Sequence, residues 1–434
     1  MNLTTNAWYS KAIISGCLLI FLIACNNVQD THTPSTALSE SEIALKAKEI
    51  HERSLVLDTH ADIAMPTTAP LYLSADGKSK VDIEKLKSGR TNAVLMTLAV
   101  PPGPRTAEGD AQGRLAMNEQ LTFVKNKVNN NPGKLVIAKS STEITRAFEA
   151  NKIAIILGFQ NARALKKDVS AIDSFYQEGV RVFGFNHIGH NDFADSSRPF
   201  FDGTTGTYEA KKEHRGLSDL GKAALDRVNE LGGIVDVSQL SKPATLQATQ
   251  LSKAPVIASH SNVRAISNVS RNLSDEEIDL IAKKGGLICV SPFRAYLLDY
   301  SDPAFLERIK TVRRNAGISE VYSYPFELYW EIKDPTKKMA FLQAMSDTLG
   351  PAYVKDLVRH IDYLVERVGI NHVGIGSDFN HGGGIEGYQD AADALNVTLA
   401  LVQKGYAEKD IQQIWSGNFL RVMKEVEAIK ENLK

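Results

Sequence analysis

Short apolar or β-branched runs recur along the chain, and helical patterns lie between them. The runs are Leu55–Ile63, Ala93–Val100, Ile153–Phe159, Val180–Phe185, Gly233–Val237, Val256–Ser259, Gly286–Val290 and Val373–Ser377. Glu143–Ala150, Leu217–Leu231, Asp275–Lys284 and Tyr353–Val368 have the spacing of helices buried along one face. A further helix opens at about Ser41, with Ile43, Ala44, Ala47 and Ile50 on one side. Alternation of this kind requires parallel strands joined by crossover helices. Eight units predict an α/β fold, a closed TIM-like (β/α)8 barrel forming one domain over residues 41–434. The competing open, doubly wound sheet lacks support, because no glycine-rich dinucleotide fingerprint follows the first run.

The stretch from about Phe293 to Met345 is too long for a plain loop. It carries Tyr296, Tyr300, Tyr322, Tyr324, Phe326, Tyr329 and Trp330. It reads as a segment inserted between strands 7 and 8, serving as a helical lid or as a homodimer contact. Composition does not separate the two.

The N-terminus follows a different pattern. Lys11 precedes the apolar run Ala12–Ala24, which has the layout of a secretory signal peptide and is short for a membrane span. The run ends in Leu22-Ile23-Ala24-Cys25, which resembles a bacterial lipobox. That resemblance implies removal of residues 1–24 and lipid on Cys25. Asn26 in the next position implies the outer membrane of the bacterial cell envelope, facing periplasm or exterior. The Asn, Thr, Ser and Pro residues that follow, to about residue 40, read as a flexible tether.

Composition narrows the function classes. With 50 Lys+Arg against 51 Asp+Glu, the net charge of -1 offers no basic excess for nucleic acid. Three cysteines make no disulfide framework, and Cys289 in its apolar run reads as an inert buried thiol.

The chemistry-bearing residues fall at the carboxyl ends of the predicted strands, where barrels collect their active sites. Strand 1 closes with Asp58-Thr59-His60-Ala61-Asp62, and His60 and Asp62, two apart, share a face. Strand 4 closes with Asn186-His187, strand 6 with Ser259-His260-Ser261 and strand 8 with Ser377-Asp378-Phe379. An imidazole and a carboxylate on one face make a two-donor metal clip. One histidine at a strand end is ordinarily structural; four polar ends in one barrel point to a metal-dependent hydrolase.

This order of motifs resembles the membrane (renal-type) dipeptidases, peptidase family M19, within the amidohydrolase superfamily. The likeness continues through Gly216–Gly221, Ile234–Ser238, Pro255–Ser261, Arg271-Asn272 and His372–Phe379. It implies metal-dependent cleavage of the amide bond of dipeptides or related small amides, with zinc as cofactor. It makes His60 and Asp62 ligands of a first zinc and His260 a ligand of a second. By the same resemblance Asp378 is the carboxylate beside the reacting water, His187 meets the substrate carbonyl oxygen, and Arg271 clamps the terminal carboxylate.

Two positions depart from the family pattern. Gln160 stands where a bridging glutamate is expected, and Gln239 where the second zinc's other histidine is expected. A glutamine offers only a neutral carbonyl oxygen. The expectation is therefore one zinc per chain, with the second site weakened. His190, Asp192, Asn380 and His381 are candidate compensating donors, although solvent-facing loop positions suit the two histidines as well. His372 and His360 read as structural. The competing function is a catalytically weak envelope lipoprotein that binds peptides or amino acid derivatives.

Overall fold

The computed structural model describes residues 39–202, 207–210, 212–322, 325–327 and 329–432. The leader, Cys25 and the tether to residue 38 lie outside the described residues, as does Tyr324. The compact unit begins at Glu40 with helix α1, Glu40–Arg53, which buries Ala47 and Ile50.

Eight strands follow: β1 (Val56–Asp62), β2 (Thr91–Ala99), β3 (Ile153–Gln160), β4 (Val180–Gly184), β5 (Ile234–Asp236), β6 (Ile257–Ala258), β7 (Leu287–Val290) and β8 (Val373–Ile375). Each pairs parallel to the next in that order. An additional short strand, Leu135–Ile137, pairs with β3 outside this order. The sheet nearly closes just past the end of β8. There the Asp378 amide donates to His60 O and the Asp62 amide donates to Phe379 O, both at 2.9 Å. The expected TIM-like barrel is thus the observed architecture.

Strands buried on both faces need apolar residues at successive positions, as parallel sheets do. Leu57, Leu95, Ile156, Val182, Ile234, Ile257 and Leu287 share one cluster with Phe419, Val422 and Val426 of the C-terminal helix. Their neighbours Val56, Val94, Ile155, Val235 and Ile288 belong to the larger cluster formed with the surrounding helices. At Gly376 an added Cβ would lie 1.9 Å from Ser259 O, so only glycine permits this approach of the chain leaving β8 to the chain leaving β6. Thr59 bridges the same place, its hydroxyl within 2.9 Å of both Ser259 O and Ile375 O.

Helix starts follow their caps. Ser218 accepts from the Gly221 amide, so the helix opens at Asp219, two residues beyond the apolar pattern. The stretch between β7 and β8 contains helices Arg294–Leu297, Pro303–Asn315 and Pro335–Leu349. They gather around a small core of their own that includes Tyr296, Tyr300, Ile309, Phe341 and Met345. No helix among the described residues is long and apolar enough to cross a membrane.

Candidate active site

The carboxyl ends of β1, β5, β6 and β8 converge on one buried polar cluster. The pairing of β1 shifts register between Asp58 and Ala61, yet His60 and Asp62 still face each other, with His60 Nε2 3.4 Å from Asp62 Oδ1. The His60 ring stacks on His260 at 3.7 Å between centroids. Among the described residues, the ligand atoms of His60, His260 and Asp378 form one group within 4.8 Å of one another, all three side chains buried.

A relay behind the two rings fixes their tautomers. Ser259 Oγ donates to Asp236 Oδ2 at 2.5 Å, which uses its one proton. Its lone pairs then accept from His260 Nδ1 at 2.8 Å and His60 Nδ1 at 3.3 Å. Thr97 Oγ1 is a further neighbour of His60 Nδ1, at 3.3 Å. With both Nδ1 atoms protonated, both Nε2 lone pairs are presented to the pocket, as ligating histidines require. Asp236 is held in turn by the Ser238 hydroxyl at 2.6 Å and by the Ser238 and Ser259 amides at 3.0 Å. Two histidines and a carboxylate with this backing fit a divalent ion.

The two glutamines occupy the same region. Gln239 Nε2 lies 3.1 Å from His260 Nε2. Given that tautomer, the amide N–H donates to the lone pair an ion would take, which leaves Gln239 Oε1 buried without a partner. Gln160, at the end of β3, is 2% exposed and its Nε2 also lacks a partner.

Electrostatics follow from burial and charge. Burial works against a charged His60, but Asp62, Asp378 and Asp236 outweigh it and raise its pKa above the ordinary value. For Asp62 burial raises the pKa, and His60, His381 and His187 more than reverse that. Asp378 is pushed up, chiefly by burial and further by the Asp62 charge. His187 and His260 are held well below the ordinary histidine range, mainly by burial. Both are therefore neutral at physiological pH. Both ring nitrogens of His187 are buried without a hydrogen-bond partner, as are Asp62 Oδ1, Gln160 Nε2 and Gln239 Oε1.

Asp58, the first residue of the motif, has a structural task. Its carboxylate accepts from the Ser377 hydroxyl at 2.5 Å and the Ser377 amide at 2.7 Å, tying β1 to the turn that carries Asp378. Asp378 itself adopts a left-handed backbone, φ 53°, as does Asn380 at φ 67°. Asp and Asn tolerate that region better than most residues. Asn380 Nδ2 donates to Asp62 O at 2.7 Å, which locks this turn onto β1.

Arg271 is 1% exposed. One terminal NH group donates to Ser238 O and the other to His260 O at 3.1 Å, leaving Nε without a partner. The guanidinium faces the Tyr296 ring, 5.2 Å from its centroid.

Of the other histidines, His381 reaches the site and His190 does not act as a free donor. His381 Nδ1 lies 3.5 Å from Asp62 Oδ2, and its ring is 4.9 Å from that of His187. His190 is consumed by the Ser196 amide and Ala210 O. His372 bonds Gly286 O at 2.8 Å, and His360 bonds the Val263 amide and Leu297 O, matching their expected structural roles.

A cavity of about 410 Å³ opens from this cluster. It runs from buried Asp378 and Gln239 out to Leu71 and Met339, which are 53% and 58% exposed. A hydrogen bond of 2.6 Å between the hydroxyls of Tyr72 and Tyr329 joins two of its walls. Sequence reasoning did not single out Lys80, Arg198 or Arg294, which also line it. Lys80 and Arg198 come from loops, and Arg294 opens a four-residue helix, so no periodicity announces their positions.

A (β/α)8 barrel whose strand ends gather imidazoles and carboxylates around one pocket defines a metallohydrolase-type protein. The model of the membrane dipeptidase family, peptidase family M19, matches residues 44–434, and the chain belongs to that metal-dependent family. The solved structure of the probable dipeptidase PvdM from Pseudomonas aeruginosa is 35% identical, with a TM-score of 0.79, over 90% of this chain and 99% of that one. Dipeptidase tcpJ of Claviceps purpurea (strain 20.1) is 26% identical over 362 residues, 82% of this chain and 71% of the relative. A metallo peptidase from Rhodobacter sphaeroides, liganded with a phosphinate mimic of L-Ala-D-Ala, shares the fold at 18% identity and a TM-score of 0.66, over 86% of this chain and 99% of that one.

Proposed function

We propose that this chain hydrolyses the amide bond of dipeptides or related small amides with a single zinc ion. The observation that carries the reading is the convergence of His60, His260 and Asp378, with a glutamine amide rather than an imidazole at residue 239, against His260 Nε2, and a neutral glutamine at residue 160. His60, His260 and Asp378 would hold the ion, and Asp62 stands beside His60 as a further donor. When bound, zinc polarises the scissile carbonyl and acidifies water.

The remaining tasks belong to the chain's own side chains. Asp378, with a raised pKa, takes the proton of the attacking water and returns it to the leaving amine. His187, neutral and unpartnered, donates an N–H to the carbonyl oxygen as negative charge develops there. Arg271, held rigid by two backbone carbonyls, sets a fixed positive charge for the terminal carboxylate. Ser259 and Asp236 orient the two imidazoles without touching substrate.

The test is hydrolysis of a dipeptide panel by protein stripped with a chelator and then reloaded with zinc. Activity that disappears on stripping and returns at one equivalent supports the reading. A reloaded protein that binds dipeptides without cleaving any of them supports the binding-protein alternative.

We also infer that the mature chain begins at a lipidated Cys25 and is held at the bacterial envelope, on the strength of the Leu22–Cys25 motif.

A further inference from the structure

Lys80 and Arg294, on the wall of the cavity, have answers within the protein. Lys80 Nζ donates to Gly383 O at 2.5 Å, and Arg294 donates to the Ser346 hydroxyl at 2.6 Å. Both also line an adjoining cavity that holds the carboxylates of Asp76, Glu386, Asp390 and Asp393. Apolar surface in the first cavity has no such answer. Leu71 comes from the segment after β1, Ile188 from the loop after β4, and Phe293, Phe326, Met339 and Leu342 from the stretch between β7 and β8. None of the six is buried. Ile188, Phe293, Phe326 and Leu342 are partly exposed, and Leu71 and Met339 are more than half exposed.

Single apolar side chains scattered on a surface need no explanation, but several drawn from separate parts of a chain around one concave site mark a ligand. The inner end of this cavity is the metal cluster, through Asp378 and Gln239, so the occupant belongs to the molecule being cleaved. The terminal carboxylate is seated inward at Arg271, which is buried on the carbonyls of Ser238 and His260. The half of the substrate that extends outward along the cavity is then the N-terminal half. A volume of about 410 Å³ leaves room for a long side chain there.

Resting on the dipeptidase reading above, we propose that the site selects dipeptides with a long apolar N-terminal side chain, which lies along Phe293, Phe326 and Leu342 and reaches Leu71 and Met339 at the rim.

The experiment uses the zinc-loaded protein and a series that grows by one methylene at a time: Ala-Ala, α-aminobutyryl-Ala, norvalyl-Ala and norleucyl-Ala. The value of kcat/KM should rise roughly two- to fourfold per methylene, mostly through KM, because such a wall binds ground state and transition state alike. The reversed series, with alanine at the N-terminus, should not rise. Leu71→Ser combined with Met339→Ser alters two exposed side chains, so folding is not at stake, and it should abolish the last step of the forward series. A flat forward series, a rise confined to the reversed series, or a last step that survives the double substitution overturns the proposal and leaves the dipeptidase reading intact. A flat series from a protein that sediments as a dimer would give the apolar rim to a second copy instead. If no member is cleaved, the dipeptidase reading fails and calorimetry on the same series judges the selection. Affinity that rises with each methylene supports it, and equal or absent binding overturns it.

Discussion

Ser259 is the test of the relay behind the metal pocket. Its hydroxyl gives its proton to Asp236 and receives the Nδ1 protons of His260 and His60. Ser259→Ala removes all three contacts at once in a fully buried place. His260 would lose the acceptor that fixes its Nδ1–H, and His60 would keep only Thr97 Oγ1, so the His260 Nε2 lone pair would no longer be held toward the pocket and that of His60 less firmly. Loss of such outer contacts lowers metal affinity by about 10- to 100-fold, which is about 1.4 to 2.8 kcal/mol. Folding stability should fall as well, by about 1 to 3 kcal/mol for the buried polar groups left unmet. Asp236 keeps the Ser238 hydroxyl and the amides of Ser238 and Ser259, so the barrel should still form. Zinc affinity by chelator competition, with far-ultraviolet circular dichroism and melting of the metal-free protein, separates the effects. A variant with a lowered melting temperature but unchanged zinc affinity would refute the tautomer argument and leave Ser259 a packing residue.

Replacing Asp378 with Asn should lower kcat by roughly 10²–10⁴-fold, the range for a lost general acid/base; full activity would rule out its proton role. Gln160→Glu with Gln239→His should add about one zinc per chain, and neither single variant should do so firmly, because coupled ligands act together; elemental analysis reads the result. Burial holds His360 down to about 4, against 6.5 for a free imidazole. The unfolded chain therefore takes up that proton first. Stability is full above pH 6.5 and declines as pH falls toward 4, by roughly 3 kcal/mol, and denaturant titrations of His360→Gln should show a shallower slope. Cys25→Ser should release the protein from the membrane fraction; unchanged association and no lipid by mass spectrometry would remove the lipoprotein proposal.

The barrel was legible because burial on both faces writes itself into the sequence as apolar runs. Every one of the eight runs overlaps an observed strand. The runs overreach where backbone leaves the sheet to build the site: Val256–Ser259 contains only the two-residue strand β6, since Ser259 is engaged with Asp236 and the imidazoles. The strand Leu135–Ile137 is too short to carry a period. The helix Ala107–Asn129 was also missed, with Gly109 and Gly113 among the residues of its buried face.

In the site, His60, Asp62, His187, His260 and Asp378 were readable because strand ends fix their place along the chain. Their contacts were not. That Asp58 ties down Ser377, or that the Gln239 amide sits on His260, depends on residues far apart in sequence. By sequence His381 suited a solvent-facing loop better than the site, and only the turn after β8 brings it to Asp62. Arg294 had no motif around it at all.

The most direct measurement is the zinc content of the purified mature chain, by elemental analysis after equilibration with zinc and removal of the loosely bound ion. One zinc per chain is the expected result, and it should fall to none in a His60→Ala, His260→Ala double variant that remains folded. Two zincs per chain, or one that survives loss of both histidines, would contradict the single-ion site built on His60, His260 and Asp378.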